Sequence, residues 1–248
     1  MARMLIAGNW KMNGELNMAR ELAVAIKEGS SAHSCEYLLC PPATALSSVA
    51  ELLKGSGVSL GGQDCHADAS GAHTGDVSVG MLSDIGCQYV IVGHSERRSD
   101  HMESDATVKA KAEAAQAGGL TAIICVGESD SQRESGEALS VVEAQVTNSL
   151  PSGATSSNTV IAYEPVWAIG TGKVPTLDQI TEMHLYIQSV LKSEMGGDLP
   201  ELTKLLYGGS VNAGNADKIL QCDGVTGALV GGASLQADSF LAIGQSCP

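Results

Sequence analysis

Three side chains that can move protons or hold anions lie just after short apolar runs of the sequence. Lys11 follows the first of these runs, His94 follows the fourth, and Glu164 follows the sixth. A carboxylate can take a proton from carbon, a neutral imidazole can donate a hydrogen bond to an oxyanion, and an ammonium group offsets substrate charge. This combination predicts proton transfer on an anionic substrate.

His94 begins the motif His-Ser-Glu-Arg-Arg, and Ser95 is predicted to cap the helix that follows. The start of a helix carries partial positive charge, which disfavours imidazolium and favours a neutral ring at His94. A lone histidine at a helix start is more often structural than catalytic, so the motif alone decides little. The remaining histidines share no metal-ligand spacing: His33, His66, His73, His101 and His184.

Glu164 precedes Pro165, and the segment from there to Lys173 is unusually apolar for a loop. A packed connection and a lid over the substrate both fit this composition. In the lid hypothesis, 165–167 form a stiff hinge, and the tip around Gly170 closes over the substrate.

Two glycine pairs follow the last two apolar runs. One is Gly208-Gly209, with Ser210 after it, and the other is Gly231-Gly232. Glycine pairs usually mark tight turns. Backbone N–H groups at such turns, beside the start of a short helix, also bind phosphate in barrel proteins. The two pairs therefore predict a phosphate site.

The apolar runs themselves are predicted strands, and longer helical patterns separate them. Their continuous apolar character is typical of parallel strands that are buried on both faces. The predicted strands are Met4–Ala7, Glu36–Cys40, Val58–Gly61, Tyr89–Val92, Thr121–Val126, Thr159–Tyr163, Lys204–Tyr207 and Ala228–Val230. Eight strands alternating with helices favour a single domain, residues 1–248, folded as a (β/α)8 barrel. Because strand order is invisible in the sequence, an open doubly wound sheet is the alternative.

Two helix starts follow from capping residues. Thr176 with Gln179 predicts a capping box, and the helix that follows has one apolar face, formed by Ile180, His184, Ile187 and Leu191. Ser131 with Glu134 predicts a second start, which leads into Leu139, Val142 and Val146.

The composition excludes several classes of protein. Fourteen Lys and Arg against 28 Asp and Glu give a formal net charge of -14, which repels nucleic-acid phosphates and anionic membranes. The seven cysteines form no Cys-x-x-Cys pair, so neither a disulfide framework nor a zinc ribbon is predicted. With no predicted signal peptide or membrane span, we expect a cytoplasmic protein.

Taken together, the motifs from residue 4 to residue 234 resemble those of the triosephosphate isomerase family. The segments that carry the resemblance are Asn-x-Lys, Gly-His-Ser-Glu-Arg-Arg, Tyr-Glu-Pro-Val-Trp-Ala-Ile-Gly-Thr-Gly-Lys, Tyr-Gly-Gly-Ser and Val-Gly-Gly-Ala. The resemblance implies interconversion of dihydroxyacetone phosphate and D-glyceraldehyde 3-phosphate through an enediolate, without cofactor or metal. A glutamate base, a neutral histidine and a closing loop are well known in that family, so this mechanism is implied by the resemblance and is no independent prediction.

The resemblance also implies a role for each residue of the site. The implied catalytic residues are Asn9, Lys11, His94 and Glu164. The implied substrate contacts come from Asn9, Lys11, Gly170, Ser210, Gly231 and Gly232. Glu96 and Cys125 are implied to support the site.

The resemblance also implies a homodimer, in which the loop around Thr74 enters a neighbouring subunit. The sequence departs from the family at His73, where an aromatic residue such as Phe is usual, and at Asp64, where Asn is common. These departures concern the interface rather than the chemistry.

Two other functions remain as alternatives. A metal-dependent sugar-phosphate epimerase needs several His, Asp or Glu ligands from the strand ends, where only His94 and Glu164 occur. A non-enzymatic protein that binds a phosphate metabolite could lose the base or the histidine, whereas both are present.

Overall fold

The computed structural model describes residues 3–31, 33–168, 174–196 and 203–248. Within these residues, eight strands pair side by side in chain order, and the last strand pairs with the first. Every pairing is parallel, and one or two helices follow each strand. The predicted (β/α)8 barrel is therefore confirmed, and the open doubly wound sheet is wrong.

The strands are β1 Leu5–Asn9, β2 Glu36–Cys40, β3 Val58–Gly62, β4 Tyr89–Val92, β5 Thr121–Val126, β6 Thr159–Tyr163, β7 Lys204–Tyr207 and β8 Gly227–Val230. The helices are α1 Leu16–Ser30, α2 Leu46–Leu53, α3 Val79–Ile85, α4 Ser95–Asp100, α5 Asp105–Ala117, α6 Asp130–Glu134, α7 Ala138–Ser149, α8 Leu177–Met195, α9 Ala216–Leu220 and α10 Ala237–Gln245. Two 3₁₀ turns, Val166–Ala168 and Gly232–Leu235, follow β6 and β8.

Most predicted strand bounds agree with the structure, and most of the differences lie at glycines. One that does not is the start of β1, which begins at Leu5 and not at the predicted Met4. β1 continues through Gly8 to Asn9, because both residues pair with β2. β8 begins one residue early, at Gly227, where a Cβ atom would lie 2.0 Å from the carbonyl oxygen of Leu5. Only glycine allows β1 and β8 to approach this closely, so the residue closes the barrel rather than ending the strand.

Alternate strand residues face two different cores, as the pleat of a strand requires. Side chains that fill the inside of the barrel are Leu5, Ala7, Leu38, Cys40, Ile91, Ile123, Cys125, Val160, Ala162, Leu206 and Leu229. Their neighbours in sequence, such as Ile6, Val90 and Ile124, pack outward against the helices. Burial on both faces explains the continuously apolar runs, and it fixes the strand ends that position the site.

One of the two predicted helix starts is confirmed and the other is wrong. The capping box between Thr176 and Gln179 is present at the start of α8. The second start lies two residues earlier than predicted, because Ser129 rather than Ser131 caps α6 and pairs with Gln132. Gly136, at φ 78°, then turns the chain before α7, so the predicted apolar face belongs to a separate helix.

His184 lies on the predicted buried face of α8 and is fully buried. Its Nδ1 lies 3.3 Å from the carbonyl oxygen of Gly224, and its ring packs against the rings of Tyr163 and Tyr207. Burial lowers the pKa of His184 to about 4, and the Gly224 carbonyl only partly opposes this. The neutral ring is therefore part of the core.

We expect His184 to make the protein less stable as the pH falls from about 6.5 to about 4. In this range the unfolded chain binds a proton at His184 that the folded chain does not, so stability rises with pH and falls in acid. The loss reaches about 3 kcal/mol near pH 4. Urea unfolding across this range should show a shallower pH slope in His184→Gln and an unchanged slope in His101→Asn, which replaces an exposed histidine. Equal slopes in all three proteins would contradict the assignment.

Within the described residues, no helix is both long and apolar enough to cross a membrane. All seven cysteines carry free thiols.

Candidate active site

The carboxyl ends of the strands surround a cavity of about 390 Å³. Most of the predicted site residues line it: Asn9, Lys11, His94, Glu164, Ser210, Gly231 and Gly232. Gly208, Gly209 and Asn212 also line the cavity. Gly170 and the rest of 169–173, which include the predicted lid tip, lie outside the described residues.

Glu164 is buried at the end of β6 and contacts His94 directly. Its Oε1 lies 2.9 Å from His94 Nε2. The backbone N–H of Ser95 donates to Oε2 at 3.0 Å, and the Ser95 hydroxyl lies 3.4 Å from Oε1. The carboxylate is thus held from two sides by the segment that follows β4.

His94, not Ser95, caps α4, which corrects the prediction from sequence. The Nδ1 atom of His94 accepts the backbone N–H of Glu96 at 3.2 Å. This hydrogen bond requires a lone pair on Nδ1, so the ring proton lies on Nε2 and faces Glu164. Ser95 is therefore free to hold Glu164, a role that its position beside a histidine did not reveal.

Glu164 and His94 shift each other's pKa in opposite directions. Burial alone would raise the pKa of Glu164, but the His94 ring and the Ser95 N–H lower it below its usual range. Burial alone would lower the pKa of His94, but the adjoining Glu164 carboxylate raises it. Glu164 is consequently ionised at neutral pH, as a base requires.

Two glycines make room for Glu164. A Cβ atom at Gly127 would lie 1.7 Å from the carbonyl oxygen of Glu164, and a Cβ atom at Gly208 would lie 2.9 Å from its Cγ. Both distances are shorter than atoms can approach without the backbone or side chain moving. The backbone that follows β5 and β7 therefore packs directly on Glu164 and fixes its position.

Lys11 reaches the cavity from a strained backbone. Its φ of 53° lies in the left-handed region that non-glycine residues rarely adopt. Asn9 Oδ1 accepts the Lys11 N–H at 3.0 Å, and Gln63 Nε2 donates to the Lys11 carbonyl at 2.9 Å. The Lys11 ammonium group forms an ion pair of 2.5 Å with Glu96. Asn9 and Gln63 thus hold the backbone that aims the lysine.

The opposite wall is built from main chain. Gly231 precedes the 3₁₀ turn after β8, and its carbonyl accepts the Ser234 hydroxyl at 2.7 Å. A Cβ atom at Gly231 would lie 3.4 Å from Lys11 Cε, so the ammonium group passes close to this turn. A cation beside exposed backbone at Ser210 and Gly232 is an arrangement suited to an anion.

Cys125 does not line the cavity but packs against the site from the inner core of the barrel. It is fully buried in the inner core of the barrel and contacts the Glu164 side chain. Burial and the nearby Glu164 charge raise the pKa of the Cys125 thiol. It is therefore a neutral packing group under the carboxylate.

The sequence motifs did not identify Glu128. It is fully buried, and its Oε1 accepts hydrogen bonds from Arg133 Nε (2.7 Å), Tyr163 OH (3.0 Å) and Trp167 Nε1 (2.8 Å). Its backbone carbonyl also accepts the Val166 N–H. Glu128 therefore ties the segment after Glu164 to the barrel, and only the tertiary contacts reveal it.

In the described part of the chain, the cavity contains no set of three side chains arranged to hold a metal ion. Lys11 borders the same cavity as His94 and Glu164, and its ammonium group has no lone pair with which to bind a metal ion. The donor set thus favours acid–base chemistry.

Comparison with known proteins gives a consistent result. Residues 4–247 match the triosephosphate isomerase family. The chain is 56% identical over 243 residues to triosephosphate isomerase of Ruegeria sp. strain TM1040, covering 97% of this chain and 96% of that protein. It is 53% identical over 244 residues to that of Hyphomonas neptunium, covering 98% of both. The solved triosephosphate isomerase of Bartonella henselae superposes with a TM-score of 0.92 and 47% identity over 99% of each chain.

Proposed function

The chain belongs to the triosephosphate isomerase family, and on that premise we propose how its own residues interconvert dihydroxyacetone phosphate and D-glyceraldehyde 3-phosphate. The observation that carries the proposal is the buried pair of Glu164 and His94, 2.9 Å apart, in a cavity that Lys11 also borders. The pair supplies a base and a hydrogen-bond donor at one place. The reaction moves one hydrogen between neighbouring carbons.

Glu164 is the base in this proposal. One carboxylate oxygen leaves its hydrogen bond to His94 or Ser95 and removes the proton from the carbon beside the carbonyl. The electron pair of that C–H bond forms the C=C bond of an enediolate, and the carbonyl oxygen takes the negative charge. Glu164 then returns its proton to the neighbouring carbon, which leaves the enzyme unchanged.

His94 acts on the oxygens. The substrate carbonyl replaces Glu164 as the acceptor of the Nε2–H, so the carboxylate no longer raises the pKa of His94 through that contact. Burial and the Glu96 N–H at Nδ1 remain, and both favour the neutral ring. Nε2 gives its proton to one enediolate oxygen and recovers a proton from the other.

Lys11 and the glycine turns hold the charges. The Lys11 ammonium group stabilises the enediolate oxygen and the phosphate. Asn9 holds the Lys11 backbone at 3.0 Å, and the Asn9 side chain borders the same cavity. Backbone N–H groups around Ser210, Gly231 and Gly232 take the phosphate oxygens. The Lys11 charge and these N–H groups explain how a chain with a net charge of -14 can bind a phosphate dianion.

A coupled assay tests this function. Purified protein should convert D-glyceraldehyde 3-phosphate to dihydroxyacetone phosphate, detected by NADH consumption with glycerol-3-phosphate dehydrogenase, at the same rate with and without EDTA. Activity lost on chelation and restored by a divalent metal would instead support a metal-dependent mechanism, and no activity on this substrate together with metal-dependent epimerisation of another sugar phosphate would support the epimerase class. Binding of the triose phosphate without turnover would support a non-enzymatic metabolite-binding protein.

We also propose a homodimer formed through the loop around Thr74. Residues 70–76 are all exposed, as are the side chains of Met12, Met81 and Met102, at 96%, 57% and 84%. A surface cavity of about 250 Å³ lies beside Lys11 and is lined in part by Met12 and Arg97. Docking of a second copy would cover this apolar surface and place its Thr74 next to Lys11.

We expect Thr74→Arg to weaken this dimer, because a long cation does not fit a cavity that already borders Lys11 and Arg97. Sedimentation velocity should give twice the monomer mass for the unmodified protein and a shift toward the monomer for the variant. Ser152→Arg changes an exposed residue before β6, at the other end of the barrel, and should leave the mass unchanged. A monomeric unmodified protein would contradict the proposal.

A cytoplasmic location is the final part of this proposal. The free thiols of all seven cysteines support it, since a reducing compartment keeps cysteines in this state.

A further inference from the structure

Two cysteines from distant parts of the chain meet at the amino-terminal end of the barrel, opposite the catalytic cavity. Cys35 directly precedes β2, and Cys247 follows the end of α10. The Cys247 thiol donates a hydrogen bond to the Cys35 sulfur, and Cys247 packs against the core to which Cys35 belongs. The positions of the two residues in the sequence did not indicate this contact, because only the closed barrel brings them together.

Tight packing between α10 and β2 holds the two thiols side by side. A Cβ atom at Gly244 would lie 1.7 Å from the Tyr37 hydroxyl oxygen, so a glycine is needed where the two elements meet. The Tyr37 hydroxyl donates to the Leu241 carbonyl at 3.2 Å, and the Cys247 N–H donates to the Gly244 carbonyl at 3.3 Å. Cys35 lies two residues before Tyr37, and Cys247 lies three residues after Gly244. The contact between Tyr37 and Gly244 therefore also positions both cysteines.

The surroundings of Cys35 favour its thiolate. The hydrogen bond from Cys247 is the largest influence on its pKa, and burial opposes it. The Tyr37 hydroxyl and the positive charge of Arg3, whose Nη2 donates to the Cys35 carbonyl at 2.5 Å, act in the same direction as Cys247. Together they lower the pKa of Cys35 to about 7. The pKa values of the other six cysteines are raised, so the nucleophilic thiolate is concentrated at Cys35.

A surface cavity gives small molecules access to Cys35. The cavity has a volume of about 460 Å³ and is lined in part by Cys35, Arg3 and Lys27. Cys247 is itself partly exposed. The loop around Thr74 follows the carboxyl end of β3, at the other end of the barrel. A dimer formed through that loop therefore leaves this cavity open.

We propose that hydrogen peroxide oxidises Cys35 and Cys247 to a reversible disulfide that fastens the end of α10 to β2. The Cys35 thiolate attacks one peroxide oxygen, the O–O bond breaks, and hydroxide leaves, so that Cys35 becomes a sulfenic acid. The Cys247 sulfur then attacks the Cys35 sulfur, the S–O bond breaks, and a second hydroxide leaves. The two hydroxides take up the protons that the two thiols lose. Two thiols thus give up two electrons, and one peroxide is reduced to two water molecules.

The disulfide is expected to stabilise the folded chain. It closes a loop that contains most of the chain, and the stabilisation by a disulfide increases with the length of the loop that it closes. The oxidised protein should therefore unfold at a higher urea concentration than the reduced protein. Disulfides of cytoplasmic proteins are usually transient and sense the redox state, which agrees with a bond that forms only when peroxide is present.

Peptide mapping tests the proposal. Reduced, folded protein that is treated with hydrogen peroxide and then alkylated should yield a peptide pair linked through Cys35 and Cys247, and dithiothreitol should remove the link. Cys247→Ser should form no such link and should accumulate a sulfenic acid at Cys35, which dimedone traps. Cys222→Ser removes another partly exposed cysteine and should form the link at the unmodified rate. Circular dichroism and isomerase turnover before oxidation should show that the variants are folded.

Urea unfolding tests the effect of the link. The midpoint should rise on oxidation of the unmodified protein, fall back with dithiothreitol, and stay unchanged on oxidation of Cys247→Ser. Absence of the link in the unmodified protein would overturn the proposal, as would dimedone labelling of Cys222 in preference to Cys35 in Cys247→Ser. Equal midpoints of the linked and reduced proteins would overturn the fastening role. Mass and unfolding, not turnover, report these outcomes, so this proposal and the isomerase function fail separately.

Discussion

Glu164→Asp is expected to lower kcat by orders of magnitude while KM changes little. The substitution keeps the charge but withdraws the carboxylate by about one C–C bond. A displacement of about 1 Å is enough to cost roughly a hundredfold in rate. In the proposed mechanism substrate binding depends on Lys11 and the glycine turns, so affinity should be preserved and the loss should appear in kcat. Steady-state kinetics of the coupled reaction measure both constants.

The structure gives a reason why the remaining backbone cannot compensate for the shorter side chain. Gly127 and Gly208 pack directly on Glu164, and the Glu164 N–H donates to the Val126 carbonyl at 2.7 Å. The main chain therefore cannot advance to restore the reach of the carboxylate. Glu134→Asp shortens an exposed carboxylate on α6 and should leave kcat unchanged. An unchanged kcat in Glu164→Asp would remove Glu164 from the role of base.

The sequence predicted the fold well because burial leaves a simple pattern. Strands covered by helices on one side and by the inner core on the other must be apolar throughout, and such runs are easily recognised. The errors came at glycines such as Gly8 and Gly227. The sequence suggests a strand break at both positions, whereas the strands continue through them. The missing side chain at Gly227 brings β8 close to β1, and the one at Gly8 makes room for Ser234 and Phe240 to pack on β1.

The side chains of the site could also be predicted from the sequence, but their hydrogen bonds could not. In a (β/α)8 barrel the residues that follow the strands all lie at the carboxyl-terminal face. Lys11, His94 and Glu164 could therefore be placed at this face from the sequence alone. The hydrogen bonds made by main-chain groups could not be predicted. Which N–H meets Glu164 depends on whether His94 or Ser95 caps α4, and that choice is made by tertiary contact.

Lys11→Met is expected to abolish most of the activity while the fold is retained. Among the described residues that line the cavity, Lys11 is the cationic one. Its loss leaves the phosphate and the enediolate oxygen facing an acidic protein without a countercharge. Removing a single oxyanion donor costs about a hundred- to a thousandfold in kcat, and a full charge should cost at least as much.

A second effect acts through His94. The Lys11 charge is one of the influences that lower the pKa of His94, and Glu96 is one that raises it. Glu96 Oε2 lies 3.6 Å from His94 Nδ1, and in the unmodified protein Lys11 pairs with the other oxygen of the same carboxylate. Without the lysine, the unpaired Glu96 carboxylate favours imidazolium, whereas the proposed mechanism uses a neutral His94 as the donor.

The two effects can be separated by the pH dependence of the variant. If His94 becomes more readily protonated, the residual kcat/KM of Lys11→Met should fall at a higher pH, on the acid side, than that of the unmodified protein. Methionine accepts the φ of 53° no less readily than lysine, so circular dichroism and the thermal midpoint should stay close to native. Lys192→Met removes an exposed lysine near the end of α8 and should retain full activity. A folded Lys11→Met protein with high turnover would show that the electrostatic role assigned to Lys11 is wrong.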